Sequence, residues 1–150
     1  MYERILVPVD GSPTSNQGLA EAIQLAKLTG AKLRLVHAVD ELSFAMNADA
    51  FGAYAGELIA VVRKAGEETL QKAKAQVEAA GIAVDTVLRD SFGGRVFELV
   101  VDEASQWSAD LIVLGTHGRR GVGRALMGSD AEQIARLAPV PVLLVRRPAA

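Results

Sequence analysis

The stretch from Ala109 to Ala131, ADLIVLGTHGRRGVGRALMGSDA, combines residue types that suit an anion-binding loop. Its first part, Asp110–Leu114, is a short apolar run of the kind that forms a strand buried on both faces of a parallel sheet. Glycines and arginines then lead to Gly128-Ser129, where an amphipathic segment begins. This order places backbone N–H groups and a helix N-terminus at the carboxyl end of a strand, which favours an anion such as phosphate. The stretch matches neither GxxxxGK(S/T) nor GxGxxG.

A carboxylate follows the first apolar run of the chain, Arg4–Val9. In doubly wound sheets, ligands bind at the carboxyl ends of strands where the winding direction reverses. If Arg4–Val9 is adjacent to Asp110–Leu114, Asp10 faces the glycine-rich loop and is placed to accept hydrogen bonds from ribose hydroxyls or an adenine amino group. The alternative is that Asp10 only opens a turn at Gly11.

The segment Ser129-Asp130-Ala131-Glu132 matches a capping box with Ser129 at the N-cap of the last helix. In a second interpretation, the Ser129 hydroxyl and the N–H groups after it bind a phosphate, and the two roles are compatible. Asp130 and Glu132 add negative charge at this helix start, which weakens anion binding. The arginines of the loop would compensate for it.

Few side chains are suited to catalysis or to metal binding. The chain has no cysteine, which excludes disulfides, thiolate catalysis and cysteine-based zinc sites. No serine partner is positioned by the sequence for His117, so a backbone-positioning role is expected for it. His37 lies inside an apolar run and is expected to be a core residue. No catalytic residue and no dedicated metal site are predicted.

The elements that position these residues alternate between strands and helices. Strands are predicted at Arg4–Val9, Lys32–Val39, Ile82–Arg89, Asp110–Leu114 and Val140–Val145, and helices from Pro13 to Gly30, from about Leu58 to Ala80, from Val96 to Trp107 and from Ser129 to Leu137. The segment Asp40–Gly56 has no clear period and is interpreted as an irregular connection. The alternation predicts a single α/β domain over residues 1–150, with a doubly wound parallel sheet and helices on both faces.

Composition restricts the possible partners. Half of the 150 residues are hydrophobic, which is enough for a sizeable core. The formal net charge of −2 does not indicate a nucleic-acid surface. No apolar run is long enough to span a bilayer, so a cytoplasmic protein without membrane contact is expected.

The glycine spacing resembles that of a known family. Gly115-x-x-Gly118, nine residues, then Gly128-Ser129 is similar to the G-2x-G-9x-G-(S/T) pattern of ATP-binding universal stress proteins. The segments ILVPVDGS, LVHAV and APVPVLLVR are also similar to that family, in the same order and at matching distances. The resemblance therefore extends from one end of the chain to the other.

This resemblance implies a five-stranded parallel sheet of order 3-2-1-4-5, a dimer, and ATP with Mg²⁺ bound between the first and fourth strands. The metal would be held mainly by the phosphates. By motif position, Pro8, Val9, Asp10 and Ala38 would surround adenine and ribose, and Gly115, His117, Gly118, Arg119, Gly128, Ser129, Asp130 and Ala131 would line the ribose and phosphates.

Three of these positions depart from the family pattern. Ala38 stands where ATP-binding members often have the larger Val, which reduces contact with adenine. Asp130 stands where an apolar residue is common, and Ala131 lacks the hydroxyl often present there. Each departure weakens ATP binding, so AMP is the alternative ligand.

The resulting prediction is an ATP-binding stress-response or regulatory protein with at most slow ATP hydrolysis, because no residue resembles a strong general base. One alternative is a dimeric interaction module that binds AMP or no nucleotide. Another is a nucleotidyl-transfer or hydrolytic enzyme of related fold, whose second substrate pocket would involve Asp40–Glu57. The apolar run Val140–Val145, at a sheet edge in the implied strand order, predicts a homodimer paired antiparallel through that strand.

Overall fold

The computed structural model describes residues 1–39, 55–90, 95–116 and 127–146. In these ranges the chain forms β1 (Arg4–Pro8), α1 (Pro13–Thr29), β2 (Lys32–Val39), α2 (Ala55–Ala79), β3 (Val84–Asp90), α3 (Val96–Trp107), β4 (Leu111–Thr116), α4 (Met127–Leu137) and β5 (Val142–Arg146). The predicted alternation of strands and helices is confirmed. Within these ranges, no helix is long and apolar enough to cross a membrane.

The five strands form one parallel sheet in the order β3-β2-β1-β4-β5, as predicted. β1 is central and lies between β2 and β4. The chain order reverses at the β1–β4 boundary, because β2 and β3 extend the sheet on one side and β4 and β5 on the other. This boundary is the topological switch point, where such sheets bind ligands.

Both faces of β1 are buried, and consecutive residues of the strand point to opposite faces of the sheet. Ile5 and Val7 pack in one apolar cluster with residues of α1 and α2. Leu6, between them, packs in the other cluster with residues of α3 and α4. All three side chains have 0% exposure. This double burial explains why β1 is a continuous apolar run without polar alternation.

The ends of α1 follow from its local sequence. Ser12 is the N-cap with extended backbone angles, and its side-chain oxygen accepts a hydrogen bond from the Ser15 N–H at 3.1 Å. Pro13 occupies the first helical position, where a missing N–H is tolerated. At the other end Gly30 has φ 76° and donates its N–H to the Ala26 carbonyl. Both predicted helix limits are confirmed.

A buried carboxylate fastens α3 to the sheet. Glu103 is 4% exposed and accepts hydrogen bonds from Arg34 on β2 at 2.9 Å and from Arg89 on β3 at 2.8 Å. The hydrogen bond with Asp85, together with the bond to Glu103, raises the pKa of Arg34 despite partial burial. The hydrogen bond from Arg89 lowers the pKa of Asp102. These charges pair with one another, so the network has a structural role.

Several predicted element limits are wrong by a few residues. α4 begins at Met127, two residues before the predicted Ser129, so Ser129 lies inside the first turn and is not its N-cap. β5 begins at Val142 because Pro141 has no N–H for the ladder, and only its carbonyl accepts, from Ile112. β3 begins at Val84 because the Ile82 N–H still bonds to Val77 at the end of α2.

Candidate functional site

The candidate site lies at the carboxyl end of the sheet, where β1 and β4 are neighbours. These strands pair at Ile5–Leu111 and Leu6–Ile112. Beyond that point β1 remains paired with β2 as far as Pro8, and β4 remains paired with β5 as far as Thr116. The predicted adjacency of the two strands is thus confirmed, and their boundary is the switch point at which sheets of this kind bind ligands.

Asp10 follows the carboxyl end of β1 and is held there by a set of interlocking hydrogen bonds. Its Oδ1 accepts from the Ser12 N–H at 2.8 Å, and its own N–H donates to the Ser15 hydroxyl at 3.0 Å. Its Oδ2 is buried and has no hydrogen-bond partner among the residues that the structure describes. A buried carboxylate oxygen without a donor is unfavourable, so a hydrogen-bond donor is expected to meet this atom. The turn role and the binding role of Asp10 are compatible, because each uses a different oxygen.

The backbone before Asp10 is fixed from two sides. The N–H of Val9 donates to the Val36 carbonyl at 2.9 Å, and the carbonyl of Val9 is 2.8 Å from Nδ1 of His37. Because a carbonyl only accepts, His37 carries its proton on Nδ1. Gly66 on α2 gives the imidazole its space, since a Cβ there would lie 2.6 Å from Cδ2 of His37. His37 therefore positions the strand end that carries Asp10, a role beyond the predicted core residue.

The carboxyl end of the sheet beside Asp10 also carries Pro8, Val9 and Ala38. Pro8 and Val9 are buried, while Ala38 on β2 is half-buried and pairs in register with Arg89 on β3. These residues are brought to the same end of neighbouring strands, as expected for a shared site.

Gly115 has a packing role that sequence reasoning missed. It is buried near the end of β4, where a Cβ would overlap the Thr14 carbonyl of α1. Gly18 of α1 approaches from the same side, and a Cβ there would lie 2.5 Å from the Gly115 nitrogen. Two glycines thus let α1 contact the backbone of β4 directly. Gly18 lies in the middle of a helix, where glycine is unusual, and this was the sequence signal that could have indicated a close contact between α1 and another backbone.

The remaining predicted residues divide into two groups. His117, Gly118 and Arg119 lie outside the described residues. Gly128 and Ser129 lie in the first turn of α4, and Asp130 there is half-buried. Ala131 is 1% exposed and its side chain packs in the apolar core, so only its backbone is left for a ligand. Because α4 begins at Met127, the backbone N–H groups that have no partner within this helix belong to residues before Ala131.

A groove of about 470 Å³ adjoins Asp10 on the α2 side. In the described part of the chain it is lined by Val9, Asp10, Gly11, Asn16, Thr69, Lys72, Ala73 and Gln76. Sequence reasoning missed its α2 residues, because a polar helix face carries no signal that separates a groove from a solvated surface. Across the described ranges, no three His, Asp or Glu side chains are grouped to hold a metal ion.

Comparison with known proteins gives one consistent family. A model of the universal stress protein family matches residues 1–146. Universal stress protein MJ0531 from Methanocaldococcus jannaschii is 35% identical over 149 residues, which are 99% of this chain and 84% of that protein. The crystal structure of a universal stress protein family member from Burkholderia pseudomallei has a TM-score of 0.75 at 30% identity, and the match covers 96% of each chain.

Two structures of the same fold contain adenine nucleotides. A universal stress protein solved in complex with cAMP has a TM-score of 0.64 at 21% identity, and the match covers 98% of each chain. The universal stress protein from Archaeoglobus fulgidus in complex with dAMP has a TM-score of 0.66 at 23% identity, covering 96% of this chain and 98% of that one. At these identities the likeness shows a shared fold.

Proposed function

Because this chain belongs to the universal stress protein family, we propose that it is a nucleotide-binding stress-response protein with a regulatory role in the cytoplasm. The observation that carries the proposal is the buried Oδ2 of Asp10, which lacks a hydrogen-bond partner among the described residues. It lies at the switch point of the sheet, where ligands bind in this class of fold. The cAMP and dAMP bound by two proteins of the same fold support an adenine nucleotide as the ligand.

In this proposal, ribose binds Asp10 and adenine lies against Pro8, Val9 and Ala38. The phosphates extend along the loop after Gly115 towards the first turn of α4. ATP is the proposed nucleotide, with Mg²⁺ held mainly by its phosphates, and AMP is the alternative. Hydrolysis is proposed to be at most slow, because His37, the histidine within the described ranges, donates Nδ1–H to Val9 and has its Nε2 against Gly66 of α2.

Charge in the first turn of α4 should affect ATP more than AMP. Asp130→Val removes a negative charge near the helix N-terminus that would bind the phosphates, so we expect ATP to bind more tightly by ~0.5–2 kcal/mol, with a smaller change for AMP. Calorimetric titration of both nucleotides against both proteins measures the difference. Asp130→Asn is the matched control, because it removes the charge without adding an apolar side chain and should give a similar shift.

Two outcomes of these titrations count against the proposal. Equal effects on ATP and AMP would place the phosphates away from α4. Absence of binding of either nucleotide by the unmodified protein would contradict nucleotide binding, and it would favour the nucleotide-free interaction module.

The edge strand β5 supports a proposed homodimer. In the sheet as described, β5 is at the edge, and an edge strand offers backbone groups to another chain. Leu143 and Leu144 on it are 39% and 42% exposed. Val142 and Val145 instead pack against the two apolar clusters. We propose antiparallel pairing of two β5 strands about a two-fold axis.

Replacing Leu143 and Leu144 together by lysine should convert the dimer to a monomer in light scattering. Each face of the joined sheet would then carry two lysines, one from each chain, and exposed apolar contact would be lost. A double variant with the same added charge, Leu28→Lys with Val61→Lys, alters residues that are 84% and 63% exposed elsewhere and should remain dimeric. A dimer that survives the β5 changes would place the contact on another surface.

A further inference from the structure

The groove beside Asp10 presents hydrogen-bond donors next to an acceptor. Lys72 contributes an ammonium group, and Asn16 and Gln76 contribute side-chain amides. Lys72 is exposed and makes no hydrogen bond or ion pair with another described residue. The same groove is lined by Asp10, whose Oδ2 needs a donor. A complementary ligand therefore carries a hydroxyl for Asp10 and a negative charge for Lys72.

The topology places this groove on the opposite side of Asp10 from α4. α2 packs on β2 and β3, whereas α4 packs on β4 and β5. β1 lies between these two pairs of strands, and Asp10 follows its end. A nucleotide with its ribose at Asp10 and its 5′-phosphate towards α4 would direct the 2′- and 3′-positions of the ribose towards the groove.

The geometry points to a second phosphate site in this groove, with Lys72 as its cation. The site would select adenine nucleotides that carry a phosphate on the 2′- or 3′-oxygen in addition to the 5′-phosphate. The hydroxyl that remains on the ribose donates to Oδ2 of Asp10, and the amides of Asn16 and Gln76 donate to the added phosphate. This inference rests on the proposed function, because it takes the ribose to be at Asp10.

The test compares AMP with adenosine 2′,5′-bisphosphate and adenosine 3′,5′-bisphosphate by calorimetric titration. One of the two bisphosphates should bind about fivefold more tightly than AMP, the scale of a single exposed ion pair. Lys72→Gln should remove that preference and leave AMP affinity unchanged. Lys64→Gln is the matched control, since it makes the same charge change on α2 outside this groove and should keep the preference. The preference should also shrink at high salt.

The outcomes separate this inference from the proposed function. If AMP binds but neither bisphosphate binds more tightly, or if the preference survives Lys72→Gln, the second phosphate site is wrong and nucleotide binding stands. If the preference falls equally in Lys72→Gln and Lys64→Gln, the effect is general charge attraction, and the inference is again overturned. If no nucleotide binds, both the inference and the proposed function fail.

Discussion

Asp10→Asn is expected to weaken binding of AMP and ATP about 10- to 100-fold while the protein stays folded. Asparagine keeps one oxygen that accepts from the Ser12 N–H, so the turn before α1 is retained. At the position of Oδ2 it presents an amide N–H₂, which cannot accept the hydrogen bond of a ribose hydroxyl. The loss is large because the acceptor in the unmodified protein is both charged and buried. Calorimetric titration measures it.

Glu21→Gln serves as the control for Asp10→Asn. It removes the same charge from an exposed position on α1 and should leave nucleotide affinity unchanged within about twofold, the effect of a distant screened charge. Thermal unfolding of the three proteins verifies that the fold is retained. Unchanged affinity in Asp10→Asn would show that the carboxylate only shapes the turn.

The second large effect is expected on stability, from Gly115→Ala. The added methyl group would overlap the Thr14 carbonyl, and a backbone atom of a packed helix has little freedom to move away. We expect the free energy of unfolding to fall by about 3 kcal/mol, at the upper end for overpacked cores. Urea denaturation measures the change.

Gly30→Ala distinguishes this contact from the general cost of replacing a glycine. Gly30 has φ 76°, and a Cβ there would meet no atom of the described residues within 4 Å, so only backbone strain opposes alanine. The expected cost is about 1 kcal/mol. If the Gly115→Ala protein is no less stable than Gly30→Ala but has lost nucleotide affinity, glycine is required at position 115 for ligand binding rather than for the contact with α1.

Asp10 was singled out from its place after an apolar strand. The structure shows that its Oδ1 accepts from the Ser12 N–H and that its Oδ2 is buried without a partner among the described residues. Its role in binding remains a prediction. The hydrogen bond of His37 and the position of Lys72 in the groove were missed, because each depends on another part of the chain. His37 bonds to Val9, which directly follows β1, and Lys72 lines a groove that α1 completes. The glycine-rich loop residues His117, Gly118 and Arg119 remain predictions.

The sequence by itself determined the alternation of elements, the sheet class and both ends of α1. Apolar periodicity, the Ser12-Pro13 start and the Gly30 stop act through bonds between residues a few positions apart, so they are readable from the chain alone. Only the tertiary structure decided why Gly18 and Gly115 are glycines and how Glu103 pairs with two arginines. Those facts depend on which elements come into contact after folding. The distances between such elements are set by the packing of whole helices and strands rather than by neighbours in sequence.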